Sequence, residues 1–207
     1  MKAVIFDLDG VLVDSEWASA KAWGTALARF GYQLNEETFL GFVGTTDRSL
    51  AQAFAVEVDR SPAEVLLAAE QEMRSIAGGG LTPFPDAVEL LGALTVPVAV
   101  ASNSDRWRLE TVLTAAGIQD RFEVSVSADE VAHPKPAPDV YLRAAELLGV
   151  DPAGCVVIED SPTGITAARA AGMRVVAVRR GHFTDDQLTG ADLVLDHLSA
   201  RGVAQLA

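Results

Sequence analysis

Val4-Ile5-Phe6-Asp7-Leu8-Asp9-Gly10-Val11-Leu12-Val13-Asp14-Ser15 is the stretch around which the rest of the chain falls into place. It continues an apolar run that begins at Ala3, and such unbroken runs suit a strand buried on both faces of a parallel sheet. The run ends in two carboxylates one residue apart. Side chains alternate along a strand, so Asp7 and Asp9 leave it on the same side. Two close carboxylates repel, and one resists ionisation unless a cation lies between them. The pattern therefore points to a metal site, to an acid–base pair with divided roles, or to both. A plain acidic turn after a strand is the simpler alternative, and only the rest of the chain decides against it. Gly10 permits a sharp turn. Asp14 and Ser15 are good helix N-caps.

The chain has 207 residues with 49% hydrophobic and 22% charged side chains, a globular composition. A chain of this size buries roughly 70% of its unfolded surface, enough for one large domain or a core with a small insert. The net charge of −13 argues against nonspecific nucleic-acid binding and against anionic membranes. It also means that an anionic substrate needs a local cation. Lysine is confined to Lys2, Lys21 and Lys135, so a lysine in a loop stands out. Cys155 is the single cysteine and sits in an apolar run, where it reads as a small packing residue in a reducing compartment. No secretory n-region and h-region opens the sequence, and no apolar run reaches the length of a membrane span. The expectation is a cytoplasmic, monomeric protein.

After the first strand the pattern is helical. Glu16 to Phe30 carries Trp17, Ala20, Trp23, Leu27 and Phe30 at helical spacing, and the tryptophans read as packing residues. A short helix follows Asn35, then a turn at residues 41–46 and a helix from Asp47 to Val58. Ser61-Pro62-Ala63-Glu64 combines a Ser N-cap, Pro in the first turn and a capping-box Glu. The helix it starts breaks at Gly78-Gly79-Gly80. From Pro83 onward strands and helices alternate. Strands are expected at Val96 to Ala101, Phe122 to Val126, Cys155 to Ile158, Arg174 to Val178 and Leu193 to Leu195. Helices are expected at Asp86 to Ala93, Asp105 to Ala116, Pro138 to Leu148, from Ser161 to Gly172, and briefly from Thr184. Alternation of this kind builds a parallel sheet through right-handed crossovers. The fold expected is α/β: a Rossmann-like parallel sheet core of residues 1–15 and 81–207, with an inserted α-helical cap of residues 16–80. The hinges fall near Asp14-Ser15 and at Gly78–Gly80.

Ligands of open α/β sheets bind beyond the carboxyl ends of the strands. Asp7 and Asp9 follow the first strand. Ser102-Asn103-Ser104 follow the second and open a helix, where hydroxyls and free amides suit an anion. Lys135 lies after the third, in His133-Pro134-Lys135-Pro136, where proline stiffens the loop. Glu159 and Asp160 follow the fourth. Singly, Ser102 is an ordinary N-cap, Lys135 a surface lysine and Glu159-Asp160 a solvated helix start. Together at one sheet edge they form a site for a metal and a phosphate.

In order, Asp7-Leu8-Asp9-Gly10-Val11, Ser102-Asn103, Lys135 between prolines, and Glu159-Asp160-Ser161 resemble the motifs of the haloacid dehalogenase superfamily. The likeness is to its phosphatase and β-phosphoglucomutase branch, and it spans about residues 3 to 197. The resemblance implies a Mg²⁺-dependent phosphatase acting on a small phosphorylated metabolite. It implies Asp7 as the nucleophile that forms an aspartyl phosphate, and Asp9 as the acid and then base. It implies Ser102, Asn103 and Lys135 around the phosphoryl oxygens. Mg²⁺ would be held by Asp7, Asp9 through its carbonyl, and Asp160, with Glu159 behind. Specificity is expected from the cap, with Gly44-Thr45-Thr46-Asp47-Arg48 as the candidate loop for its hydroxyls and its arginine, Gly44, Thr45 and Arg48 foremost, and Glu16 and Trp17 as weaker candidates.

The second Asp of the first motif is present, which argues against dehalogenation, and Lys21 alone does not make the phosphonatase signature. A β-phosphoglucomutase-type phosphomutase is the alternative. Those mutases carry a histidine on the first cap helix that restrains the acid–base Asp, and the corresponding position here is Ser19. A catalytically silent regulator would show a damaged motif, and none is damaged.

Overall fold

The computed structural model describes residues 1–206. Its centre is a sheet of six strands: β1 (Ala3–Phe6), β2 (Val98–Ala101), β3 (Val124–Val126), β4 (Cys155–Glu159), β5 (Arg174–Val178) and β6 (Leu193–Leu195). They lie in the order β3-β2-β1-β4-β5-β6, and all the pairings are parallel. β1 is thus flanked by β2 on one side and β4 on the other. The winding reverses there, which is where such sheets open a ligand crevice.

Alternation along the strands divides the core into two layers. Val4, Phe6, Val100 and Ile158 face one side and pack with α5 (Pro85–Ala93) and α6 (Arg106–Ala115). Ile5, Ala99, Ala101 and Val157 face the other and pack with α7 (Asp139–Leu148) and α8 (Pro162–Ala170). Cys155 is buried in this second layer as a packing residue.

Between β1 and β2 the chain forms α1 (Glu16–Ala28), α2 (Glu36–Leu40), α3 (Asp47–Glu57) and α4 (Pro62–Ala77). Trp23, Leu27, Phe39, Leu50, Phe54 and Val65 give this helical insert an apolar cluster of its own. Ala18, Ala22, Met73 and Ala77 extend from α1 and α4 into the cluster beneath the sheet. That choice of face corrects the reading of Trp17: it is 49% exposed, because the small Ala18 and Ala22 take the buried positions that let α1 approach the core. Trp23 is buried as expected. The two connections of the insert run side by side, with Asp14 N donating to Thr82 O at 3.2 Å.

Element limits differ from expectation at their ends. β2 begins at Val98 because Pro97 has no N–H to add to the ladder, though its carbonyl still accepts from Val4 N at 3.1 Å. The segment after Thr184 closes as a single 3₁₀ turn, Asp185–Leu188, rather than an α-helix. A short C-terminal helix, Ala200–Val203, was not anticipated; four residues are too few to show a periodicity.

Candidate active site

Asp7 leaves β1 still bound to the sheet, its N–H donating to Ile158 O at 2.9 Å. The carboxylate therefore projects from the centre of the crevice. Lys135 reaches it from the loop before α7, with Nζ donating to Asp7 Oδ1 at 2.5 Å and to Glu159 Oε1 at 2.8 Å. Glu159 is fully buried and saturated. Its Oε1 also accepts from the Tyr141 hydroxyl at 2.6 Å, and its Oε2 takes the Asp160 and Ser161 amides at 3.0 Å. The Lys135 ammonium also lies 4.7 Å from the centre of the Tyr141 ring. The packing is tight: a Cβ on Gly164 would fall 1.5 Å from Glu159 Oε1, and one on Gly10, whose φ is +77°, would fall 2.2 Å from Asp160 Oδ2.

Asp7, Glu159 and Asp160 each offer a carboxylate oxygen within 4.8 Å of the others. Burial pushes the Asp7 carboxyl up to about 8; Lys135 opposes this, and Glu159 and Asp9 add to it. Burial, then the charges of Glu159 and Asp7, also raise Asp160 well above the carboxylate range. Glu159 moves the other way: burial opposes its charge, but Lys135 and the hydrogen bonds it accepts outweigh that. Lys135 is likewise raised, burial being overcome by Asp7 and Glu159. Three acids thus share one ammonium, and two of them ionise reluctantly. An all-oxygen donor set with excess negative charge fits a hard divalent cation. Such a cation, held by Asp7 and Asp160 with Glu159 behind them, would restore both carboxylates to their charged forms.

Ser102 and Ser104 close the opposite wall at the start of α6. Ser102 Oγ accepts from Ser104 N at 3.0 Å, and Ser104 Oγ donates to Asp9 Oδ2 at 2.9 Å. The Asn103 side chain is fully engaged as a strap. Its Nδ2 donates to Gly44 O and to Lys135 O, each at 3.1 Å, and its Oδ1 accepts from Lys135 N at 2.8 Å. It therefore ties the α2–α3 turn to the lysine loop.

Asp9 is held by three donors: the Ser15 hydroxyl, Ser104 and Arg108, whose Nη2 lies 3.0 Å from Oδ1. Burial would raise its pKa, but Arg108 and these hydrogen bonds bring it below the usual value. Arg108 was not anticipated from the sequence. It looks there like one polar residue inside a helix, yet it lies one turn after Ser104 and so faces the same crevice. Its Nη1 also donates to Ser19 Oγ at 3.1 Å and sits 3.8 Å from Asp47 Oδ1.

The crevice therefore gathers Asp7, Asp9, Ser102, Asn103, Lys135 and Asp160, with Glu159 directly behind, and receives Gly44 and Thr45 from the insert. Arg48 does not line it. Its Nε turns to Asp105 Oδ2 at 3.4 Å, outside the crevice, while its neighbour Asp47 points in. Glu16 lines the crevice; Trp17 does not.

Comparison with known proteins agrees with this geometry. A family model described as haloacid dehalogenase-like hydrolase matches residues 4–178. The fructose-1-phosphate phosphatase YqaB of Escherichia coli is 36% identical over 180 residues, 85% of this chain and 95% of that protein. Hexitol phosphatase A of the same organism is 35% identical, covering 95% of this chain and 91% of the relative. The crystal structure of CbbY from Rhodobacter sphaeroides in complex with phosphate superposes with a TM-score of 0.88 at 25% identity, covering 98% of this chain and 96% of CbbY. With its acidic crevice on the C-terminal edge of a parallel sheet and a helical insert after the first strand, the chain belongs to the haloacid dehalogenase-like hydrolase family.

Proposed function

We propose that the protein is a Mg²⁺-dependent phosphatase, a phosphoric monoester hydrolase, acting on small phosphorylated metabolites of the sugar phosphate class. The observation that carries this is Asp7: a buried carboxylate at the central strand end, tied to Lys135 and adjoining Asp160. Residues 1–15 and 81–207 form the catalytic core, and residues 16–80 are the cap.

A carboxylate oxygen of Asp7 attacks phosphorus and the ester P–O bond breaks, giving an aspartyl phosphate and a free alcohol. Asp9 protonates the departing oxygen, then takes a proton from the water that cleaves the acyl phosphate, releasing inorganic phosphate and regenerating Asp7. As held by Arg108, Asp9 is a carboxylate suited to the second duty. The first requires that contact to loosen. Ser102, the amides at the start of α6 and Lys135 hold the phosphoryl oxygens as charge develops. Mg²⁺, when bound by Asp7, Asp160 and the Asp9 carbonyl, supplies positive charge toward the phosphate.

Hydrolysis is preferred to mutase chemistry because α1 brings Ser19, and no histidine, to the crevice that holds Asp9, and Ser19 is engaged with Arg108. The test is metal-dependent hydrolysis of p-nitrophenyl phosphate. Asp7→Asn should lower it by about 10⁶-fold while the variant stays folded. Activity of the variant within tenfold of the parent would sink the assignment. Supplying β-glucose 1-phosphate with a trace of its bisphosphate should release inorganic phosphate faster than glucose 6-phosphate; the reverse order would make the protein a mutase.

A further inference from the structure

Beyond the phosphoryl end, the crevice is walled by the helical insert, and its lining there mixes apolar and polar side chains. Phe39, Phe42 and Leu50 are apolar lining residues there, and Glu16, Ser19 and Asp47 are polar ones. Among the described residues the cations lining the crevice are Lys135 and Arg108. Lys135 serves the phosphoryl end. Arg108 is already matched by Asp9 at 3.0 Å and by Asp47 at 3.8 Å. No cation is left over for a second anionic group on a substrate.

Asp47 is the residue there with unmet chemistry. It is 8% exposed, it opens α3, and its Oδ2 is buried without a hydrogen-bond partner. Its Oδ1 is too far from Arg108 for a hydrogen bond. A buried carboxylate oxygen without a donor is costly unless a ligand supplies one. A hydroxyl does so, and a second phosphate or a carboxylate does not. Burial, joined by the charges of Asp9 and Asp105, raises the pKa of Asp47 against the pull of Arg108 and a hydrogen bond from the Trp23 side chain. Phe39 and Phe42, in the lining of the same crevice, suit the C–H face of such a molecule.

We infer that Asp47 selects the leaving group, accepting a hydrogen bond from an uncharged polyhydroxylated alcohol, and that the crevice turns away phosphate esters whose leaving group bears a second phosphate or a carboxylate. This rests on the phosphatase reading and narrows its substrate class.

The experiment compares kcat/KM of the Mg²⁺-loaded enzyme on fructose 1-phosphate and sorbitol 6-phosphate with that on fructose 1,6-bisphosphate and phosphoglycolate. p-Nitrophenyl phosphate is the hydroxyl-free reference. The parent should favour the two neutral polyol esters by about 100-fold or more, since an anion there meets Glu16 and Asp47 with no spare cation to offset them. Asp47→Ala should lower the ratio of polyol ester to p-nitrophenyl phosphate by roughly 10- to 100-fold. Asp47→Asn, which keeps an acceptor oxygen, should restore part of that ratio and raise relative activity on the bisphosphate. Equal use of polyol and anionic esters by the parent would overturn the inference without needing any variant to fold. So would an unchanged ratio in folded Asp47→Ala. Failure on every ester, p-nitrophenyl phosphate included, would overturn the phosphatase reading together with this one and so is told apart from the other two results.

Discussion

Glu16 lines the crevice with no hydrogen-bonded partner among the described residues. Burial, then the charges of Asp9, Asp47 and Asp14 against the pull of Arg108, raise its carboxyl to about 7. The sign follows from linkage. A carboxyl with a raised folded pKa favours the native state below its ordinary value near 4.5, and that advantage is lost as pH rises through about 7. Glu16→Gln should therefore gain about 1 kcal/mol over the parent at pH 8 and nothing at pH 4. Melting temperatures of both proteins across that range check it; a gain independent of pH would show that Glu16 is not charged in the fold. At this scale the sequence revealed the residues that follow strands: Asp7, Asp9, Ser102, Lys135, Glu159 and Asp160 all lie where the strand ends placed them. It hid Arg108, which sits within a helix where its charge looks like ordinary solvated polarity, and it pointed to Arg48 of the Gly44–Arg48 loop where Asp47 is the residue that lines the crevice. Which of Asp47 and Arg48 turns inward depends on how α3 is rotated against the core, and neighbouring residues give no hint of that rotation.

The β4–α8 turn is the element whose geometry the site tolerates least. Ser161 caps α8, accepting from Gly164 N at 3.1 Å, and Glu159 folds back beneath the same turn to accept its amides. Gly164 faces that carboxylate so closely that any side chain displaces it. Gly164→Ala should cost about 2–4 kcal/mol and reduce turnover of p-nitrophenyl phosphate more than tenfold, as Lys135 loses its second anchor. A variant with parental melting temperature and rate would refute the account of the turn. The turn itself was legible: Ser161-Pro162 is a strong start signal. The exclusion of a methyl group at Gly164 was not, since it arises from a side chain folding back across the turn. The strands were recovered in order because buried parallel strands are continuous apolar runs, and their ends slipped by a residue or two where Pro97 and Phe122 extend the apolar pattern past the ladder.

Across the whole molecule, the excess of acid in the crevice links cation binding to stability. At 100 times its dissociation constant Mg²⁺ should add about 2.7 kcal/mol, which for a chain of this size is roughly 5–11 °C in melting temperature. EDTA should abolish both the shift and the turnover, and Asp160→Ala should shrink the shift. Full activity in EDTA, or no change in melting, would contradict the cation site. The sheet order has another consequence. β1 lies in the middle of the sheet, yet it leaves the ribosome long before either of its neighbours. Until β2 and then β4 are synthesised, its wholly apolar sequence has no ladder to join, while the helical insert that follows it can already form local contacts. Nascent chains halted before β4 should therefore bind chaperones and resist compaction, and those extended beyond α8 should not: the strand that organises the finished protein is, during its synthesis, the segment left longest without a partner.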